Sequence, residues 1–171
     1  MFTIHRSIDV DFAHHVRGHK GACINVHGHT WKFEVGLAAQ ELDAQGFVVD
    51  FSAVSRAVLR PCHDLLDHSL AIGQQTYEET EGALCTLGEA LLASRAQPEP
   101  PGVPVRLGGA ENRFPGGMKV AVFPFAPSSE RLAQWLFQVA HTALADERVS
   151  VAYARVYETL HPVVSLAEYR A

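Results

Sequence analysis

The stretch VHGHTWKFEVGL, residues 26–37, alternates with period two: after Val26, the residues His27, His29, Trp31, Phe33, Val35 and Leu37 share one parity. Such alternation predicts a strand with one face buried. Working outward, residues 2–14 repeat the pattern through Ile4, Arg6, Ile8, Val10, Phe12 and His14. The segment between, VRGHKGACIN, holds two glycines and reads as a loop. Two strands joined by a short loop predict an antiparallel hairpin.

On a strand, His27 and His29 point to one face, roughly 7 Å apart at the backbone. A hairpin centred near Gly21 sets residue 14 opposite residue 28, within a register step of both, so His14 faces the pair. Three neutral imidazoles suit zinc and leave a fourth position for water or substrate, as a catalytic site requires. The plainer alternative is a surface strand with incidental histidines. Cys23 lies four residues before His27. A nearby cation lowers a thiol's pKa, and the thiolate can then act as a base; the alternative is an inert buried cysteine. His15 and His19 flank the same loop as solvent-facing or supporting residues.

Further along, Asp50 is placed to cap a helix over 51–68, which Pro61 should kink or divide. That helix ends in CHDLLDH, where Asp67 and His68 make an acid/base pair in embryo. Cys62 and His63 diverge by about 100° on a helix, so they are poorly placed to share a metal. A second helix is expected over 80–95, with Ala83, Leu84, Leu87, Leu91 and Leu92 as its apolar stripe. The segment 97–109, QPEPPGVPVRLGG, reads as a loop, and KVAVFPF as a short strand. Ser128 or Ser129 caps a helix that presents Leu132, Leu136, Val139 and Leu144 on one side. VSVAYARVYETL closes the chain as a strand with Glu158 near its end, where a buried carboxylate needs a partner carrying N–H groups. The order is that of an antiparallel α+β domain.

The bulk composition narrows the function. A chain of 171 residues that is 47% hydrophobic and 19% charged suits one soluble domain. A formal net charge of -5 disfavours non-specific binding to nucleic acid. No apolar run approaches the roughly 20 residues of a spanning helix. Nor does the start read as a signal peptide. Three widely spaced cysteines, Cys23, Cys62 and Cys85, fit a reducing cytoplasm rather than a disulfide framework.

Together these motifs resemble the 6-pyruvoyl- and 6-carboxy-tetrahydropterin synthase family. The family's opening small-His-Arg-Val/Leu is similar to Ala13-His14-His15-Val16, and its Cys-x3-His-Gly-His to Cys23 through His29. Its acidic turn resembles GFVVDF (46–51), its Leu-Asp-His resembles Leu66-Asp67-His68, and its last helix start resembles Pro127 through Ala133. Its closing Glu-Thr resembles Glu158-Thr159. The likeness covers residues 2–73 and 123–160. It implies one tunnelling-fold domain over 1–171, an antiparallel sheet with helices on one face, assembled as a homo-oligomer, usually a hexamer of two trimers.

The resemblance also implies chemistry. Zn2+ on His14, His27 and His29 would bind the side-chain hydroxyls of 7,8-dihydroneopterin triphosphate. Cys23 would move one proton, and Asp67 with His68 would serve the second. Glu158, with Thr159 beside it, would grip the pterin edge. The short Cys-x3-His spacing is more typical of the carboxy-forming branch, which feeds the deazapurine route to queuosine. The pyruvoyl-forming branch and a zinc-stabilised binding module remain as alternatives. Two departures stand out. His15 replaces the usual arginine, and residues 74–122 have no counterpart in the compact pattern. The insertion should pack a helix outside the sheet and lay a loop within 107–118 near the pocket or a subunit contact. Arg113 is its candidate triphosphate contact, as Arg17, His19 and Lys20 are in the histidine loop.

Overall fold

A computed structural model of the protein describes residues 1–95 and 102–171. The loop expected over 97–109 lies partly outside the described residues. Alternation in the two opening stretches produces β1 (Phe2–His14) and β2 (His27–Ala39). Along β1 the apolar parity deepens towards its end, so Val10, Phe12 and His14 are buried while Ile4 is only partly covered. Along β2, Trp31, Phe33, Val35 and Leu37 have no exposed surface. Gly28 packs against the Phe12 carbonyl and Ala13, one residue from the expected register, which brings His27 beside His14.

Asp50 caps the first helix as expected, accepting from the Ser52 amide at 2.6 Å. The hydrogen bonds from Ser52 hold its carboxyl below the usual range. The helix runs as α1 (Phe51–Val54), a π-helical turn (Ser55–Leu59) and α2 (Arg60–Leu66). Pro61 has no N–H to offer the carbonyl four residues back. The chain absorbs that loss in the π turn rather than by breaking.

The remaining elements are β3 (Leu70–Gly73), α3 (Gln74–Leu92), β4 (Arg106–Leu107), β5 (Ala110–Arg113), β6 (Val120–Phe123), α4 (Ser129–Leu144), β7 (Val149–Thr159) and β8 (Ser165–Tyr169). The sheet has eight strands in the order β4-β5-β6-β3-β1-β2-β7-β8. It is mixed rather than purely antiparallel, because β3 pairs parallel with both β1 and β6. Parallel neighbours need a long crossover, and α3 with the segment after it supplies the one from β3 to β6. The α+β class stands, with helices on one face.

Contacts divide the chain into two compact units. One comprises Met1–Val10, His29–Asp64 and Ser128–Ala171. In it α4 lays Leu132, Trp135, Leu136 and Val139 into the core, and β2 pairs antiparallel with β7, with a bulge at Gly36/Leu37. Arg155 ties Glu34 to Glu168 at 3.0 and 2.6 Å. The other unit comprises Asp11–Gly28 and Leu65–Pro127. Its core joins Ile72, Tyr77, Leu84, Val120 and Val122. The stripe expected on α3 is only partly used, since Leu84 is buried but Leu87 and Leu91 are exposed. The helix instead meets the turn Pro115–Gly117 through Gly88, where a Cβ would lie 2.5 Å from the Pro115 carbonyl. It also begins six residues earlier than expected, and Tyr77 in that first part joins the core.

Candidate metal centre and its surroundings

His14 ends β1 and His27 begins β2, and their Nε2 atoms are 3.1 Å apart. Each ring is anchored from behind. Nδ1 of His14 is 2.9 Å from the Pro127 carbonyl, and Nδ1 of His27 is 2.9 Å from the Asn25 carbonyl. A carbonyl only accepts, so both Nδ1 atoms donate and both Nε2 atoms present lone pairs to each other. Two lone pairs at this distance repel unless a cation or a shared proton lies between them. Zinc-bound nitrogens at about 2.0–2.1 Å from a tetrahedral ion stand about 3.3 Å apart, close to the observed spacing. Backbone carbonyls that fix the far nitrogen are the usual support of a metal-binding imidazole.

His29 and Glu158 meet by strand alternation. Phe33 pairs with Val156, and counting two residues at a time places His29 on the face of Phe33 and Glu158 on that of Val156. His29 Nε2 is 3.5 Å from Glu158 Oε1. The other carboxylate oxygen accepts from Ser129 Oγ at 2.7 Å. His14 and His27 thus form a facing pair in one unit, and His29 and Glu158 a facing pair in the other. Imidazole nitrogens and a carboxylate are ligand types that suit a divalent cation. His29, Glu158 and Thr159 line a cleft of about 410 Å3 with Thr30, Leu160 and His161.

The other expected site residues lie outside these two pairs. Cys23 sits in a short 3-10 turn, Ala22–Ile24, and is partly exposed. Asp67 and His68 do form a pair, with Oδ2 accepting from Nδ1 at 2.9 Å. His68 has a positive φ of 55° and its side chain is 81% exposed. Its amide donates to the Asp11 carbonyl at 2.8 Å, and Lys119 Nζ donates to the Asp67 carbonyl at 2.7 Å, so the backbone of the pair is fixed from two sides. Thr159 spends its hydroxyl hydrogen on the Val163 carbonyl, leaving oxygen lone pairs.

Several neighbours escaped the sequence reading or carry a different duty. Ser129 was expected only as an alternative cap. Ser128 takes that part, accepting from the Arg131 amide, which frees Ser129 for Glu158. A doubled serine before a helix is the signal that pointed there. His15 reaches the Ile24 carbonyl. Arg113 lies over the Tyr77 ring, 4.6 Å from its centroid, and pairs with Glu111 at 2.7 Å. Arg17 makes a two-pronged ion pair with Glu79 of α3. Both arginines proposed for phosphate are thus already engaged by carboxylates.

A family model described as 6-pyruvoyl tetrahydropterin synthase matches residues 3–170. A 6-carboxy-5,6,7,8-tetrahydropterin synthase from Haemophilus influenzae is 27% identical over 174 residues, 99% of each chain. Among solved structures, an uncharacterized protein from Wolinella succinogenes aligns with a TM-score of 0.74 at 22% identity, covering 99% of this chain and 97% of that one. The Caenorhabditis elegans 6-pyruvoyl tetrahydropterin synthase aligns with a TM-score of 0.56 at 14% identity, covering 99% and 95%. At these identities the structural likeness speaks for the fold. Among the described residues, no helix is long and apolar enough to cross a membrane.

Proposed function

Because the chain belongs to the 6-pyruvoyl tetrahydropterin synthase family, a family of lyases, we propose that it is a zinc-dependent 6-carboxy-5,6,7,8-tetrahydropterin synthase acting on 7,8-dihydroneopterin triphosphate. The observation that carries the zinc reading is the facing pair of Nε2 atoms at 3.1 Å, with both Nδ1 atoms held by carbonyls. The carboxy-forming branch draws support from the Cys-x3-His spacing and from the name of the Haemophilus relative, which matches end to end. Its place would be the deazapurine route to queuosine, in the cytoplasm. The domain spans 1–171, with 74–122 as an addition.

His14, His27 and His29 would hold the ion. When bound, zinc would supply Lewis acidity to the substrate's side-chain oxygens, which makes the adjoining carbon-bound protons more acidic. Cys23 takes one of those protons. Asp67 fixes the His68 tautomer through Nδ1, so Nε2 faces outward as a base and then an acid. Glu158 accepts from the amino and N–H edge of the pterin, and Ser129 steadies it from the other side. Triphosphate leaves, and addition of one water with cleavage of the side-chain carbon–carbon bond releases acetaldehyde and leaves the 6-carboxylate. The 81% exposure of His68 in one chain supports a site completed by a second subunit of a homo-oligomer, a hexamer in the family pattern.

Mass spectrometry of the products after incubation with 7,8-dihydroneopterin triphosphate tests the reading. A 6-carboxy product with acetaldehyde is expected. A 6-pyruvoyl product assigns the protein to the other branch, and stoichiometric zinc without turnover leaves a zinc-stabilised binding module.

A further inference from the structure

The 3-10 turn that carries Cys23 is three residues long, too short to hold its shape alone. Four successive carbonyls fix it instead. That of Ala22 accepts from the Asn25 amide at 2.9 Å and from Asn25 Nδ2 at 3.2 Å. That of Cys23 accepts from the Val16 amide at 2.9 Å. Ile24 takes its bond from His15 Nδ1 at 2.7 Å, and Asn25 from His27 Nδ1 at 2.9 Å. Of the three side chains among these donors, Asn25 caps the turn, His27 is a candidate metal ligand, and His15 is neither.

His15 is itself well rooted. Its amide donates to the Ala71 carbonyl of β3 at 3.2 Å, so the ring projects from a paired strand end. The rest of the loop has separate supports. Arg17 is held by Glu79, and His19 Nδ1 accepts from the Gly21 amide at 2.9 Å. Loss of the His15 bond would therefore loosen the turn and leave the loop's path in place.

We propose that His15 is a positioning residue for Cys23: its Nδ1–H bond to the Ile24 carbonyl sets the turn that aims the thiol. The proposal rests on the reading of Cys23 as the acid/base. This chain has an imidazole where the family pattern has an arginine, so the device belongs to its own sequence.

The test uses full-length Cys85→Ser protein, in which Cys23 is the accessible thiol because Cys62 is buried. His15→Phe keeps a ring without the donor, and His15→Asn restores a side-chain N–H. Iodoacetamide labelling of Cys23 is followed with and without zinc, beside kcat, KM and zinc content. A neutral hydrogen bond sets the scale of change at roughly 3- to 10-fold. His15→Phe should label faster and lose kcat by factors of that order, with KM and zinc unchanged, and His15→Asn should recover both. Wild-type labelling and kcat in His15→Phe would overturn the proposal, as would equal impairment in the two variants. If His15→Phe does not fold, His15→Ala gives the same comparison. Full turnover in Cys23→Ala would sink the acid/base reading alone, because the labelling contrast still reports whether His15 holds the turn.

Discussion

Glu158→Gln separates two roles that the geometry allows for this carboxylate. Its Oε2 accepts from Ser129 and its Oε1 lies 3.5 Å from His29 Nε2. After the substitution, an amide N–H2 meets either Ser129, whose hydroxyl can turn to accept it, or the ligand edge. The side chain is 24% exposed, so the packing survives and the charge and one acceptor are lost. A pterin edge offering two N–H groups then keeps one bond and loses a charge-assisted one. Such bonds are worth about 1.5–3 kcal/mol, which weakens pterin binding roughly 10- to 150-fold. Isothermal titration of zinc-loaded protein with a reduced pterin reads the affinity, and metal analysis of the same sample reads the ion. Ser129→Ala should weaken binding less, by about 1 kcal/mol or below, since it removes only the support. Unchanged affinity in Glu158→Gln would refute the anchor role. Loss of zinc with pterin affinity unchanged in the refilled protein would make Glu158 a fourth ligand instead.

Other outcomes follow from the same structure. Asp67→Asn and His68→Ala should each lower kcat by about 10²-fold or more with zinc intact, and steady-state kinetics at the wild-type rate would remove the pair from the chemistry. Gly36→Ala would place a Cβ 2.3 Å from the Tyr153 ring. It should cost about 1–3 kcal/mol in denaturant unfolding, and an unchanged midpoint would contradict that. Burial pushes the Cys62 thiol well above its ordinary range, so the native protein should alkylate at Cys23 and Cys85 and spare Cys62 at pH 8.5. Labelling of Cys62 at a free-thiol rate would show that the core opens there.

The strands that carry His14, His27 and His29 were legible because period-two parity fixes which side chains share a face, and HGH marks that face with imidazoles. The Asp50 cap and the closing strand were legible for similarly local reasons. Glu158 was recognised as a strand-end carboxylate, but its approach to His29 depends on the pairing of β2 with β7, strands far apart in the chain, which no local pattern encodes. The parallel strands around β3 were hidden because LAIG is four residues long and leads directly into α3. The two-residue β4 and the charged edge strand β8 offered too little alternation to read. Arg113 looked available for phosphate by its charge, yet Tyr77 and Glu111 occupy it through tertiary packing. The loop position of His15 leaves it solvent-facing or supporting by sequence alone, because the carbonyl it meets is set by how the loop folds back on itself.

Metal content per chain tests the three-histidine centre most directly. Inductively coupled plasma mass spectrometry on wild type, His14→Ala, His27→Ala and His29→Ala, each checked for native folding, is the measurement. Binding by His14, His27 and His29 predicts one zinc per wild-type chain and a large loss in every variant. Full stoichiometric zinc in the variants, or a wild-type chain that takes up no zinc when it is supplied, would contradict the centre on which the proposed chemistry depends.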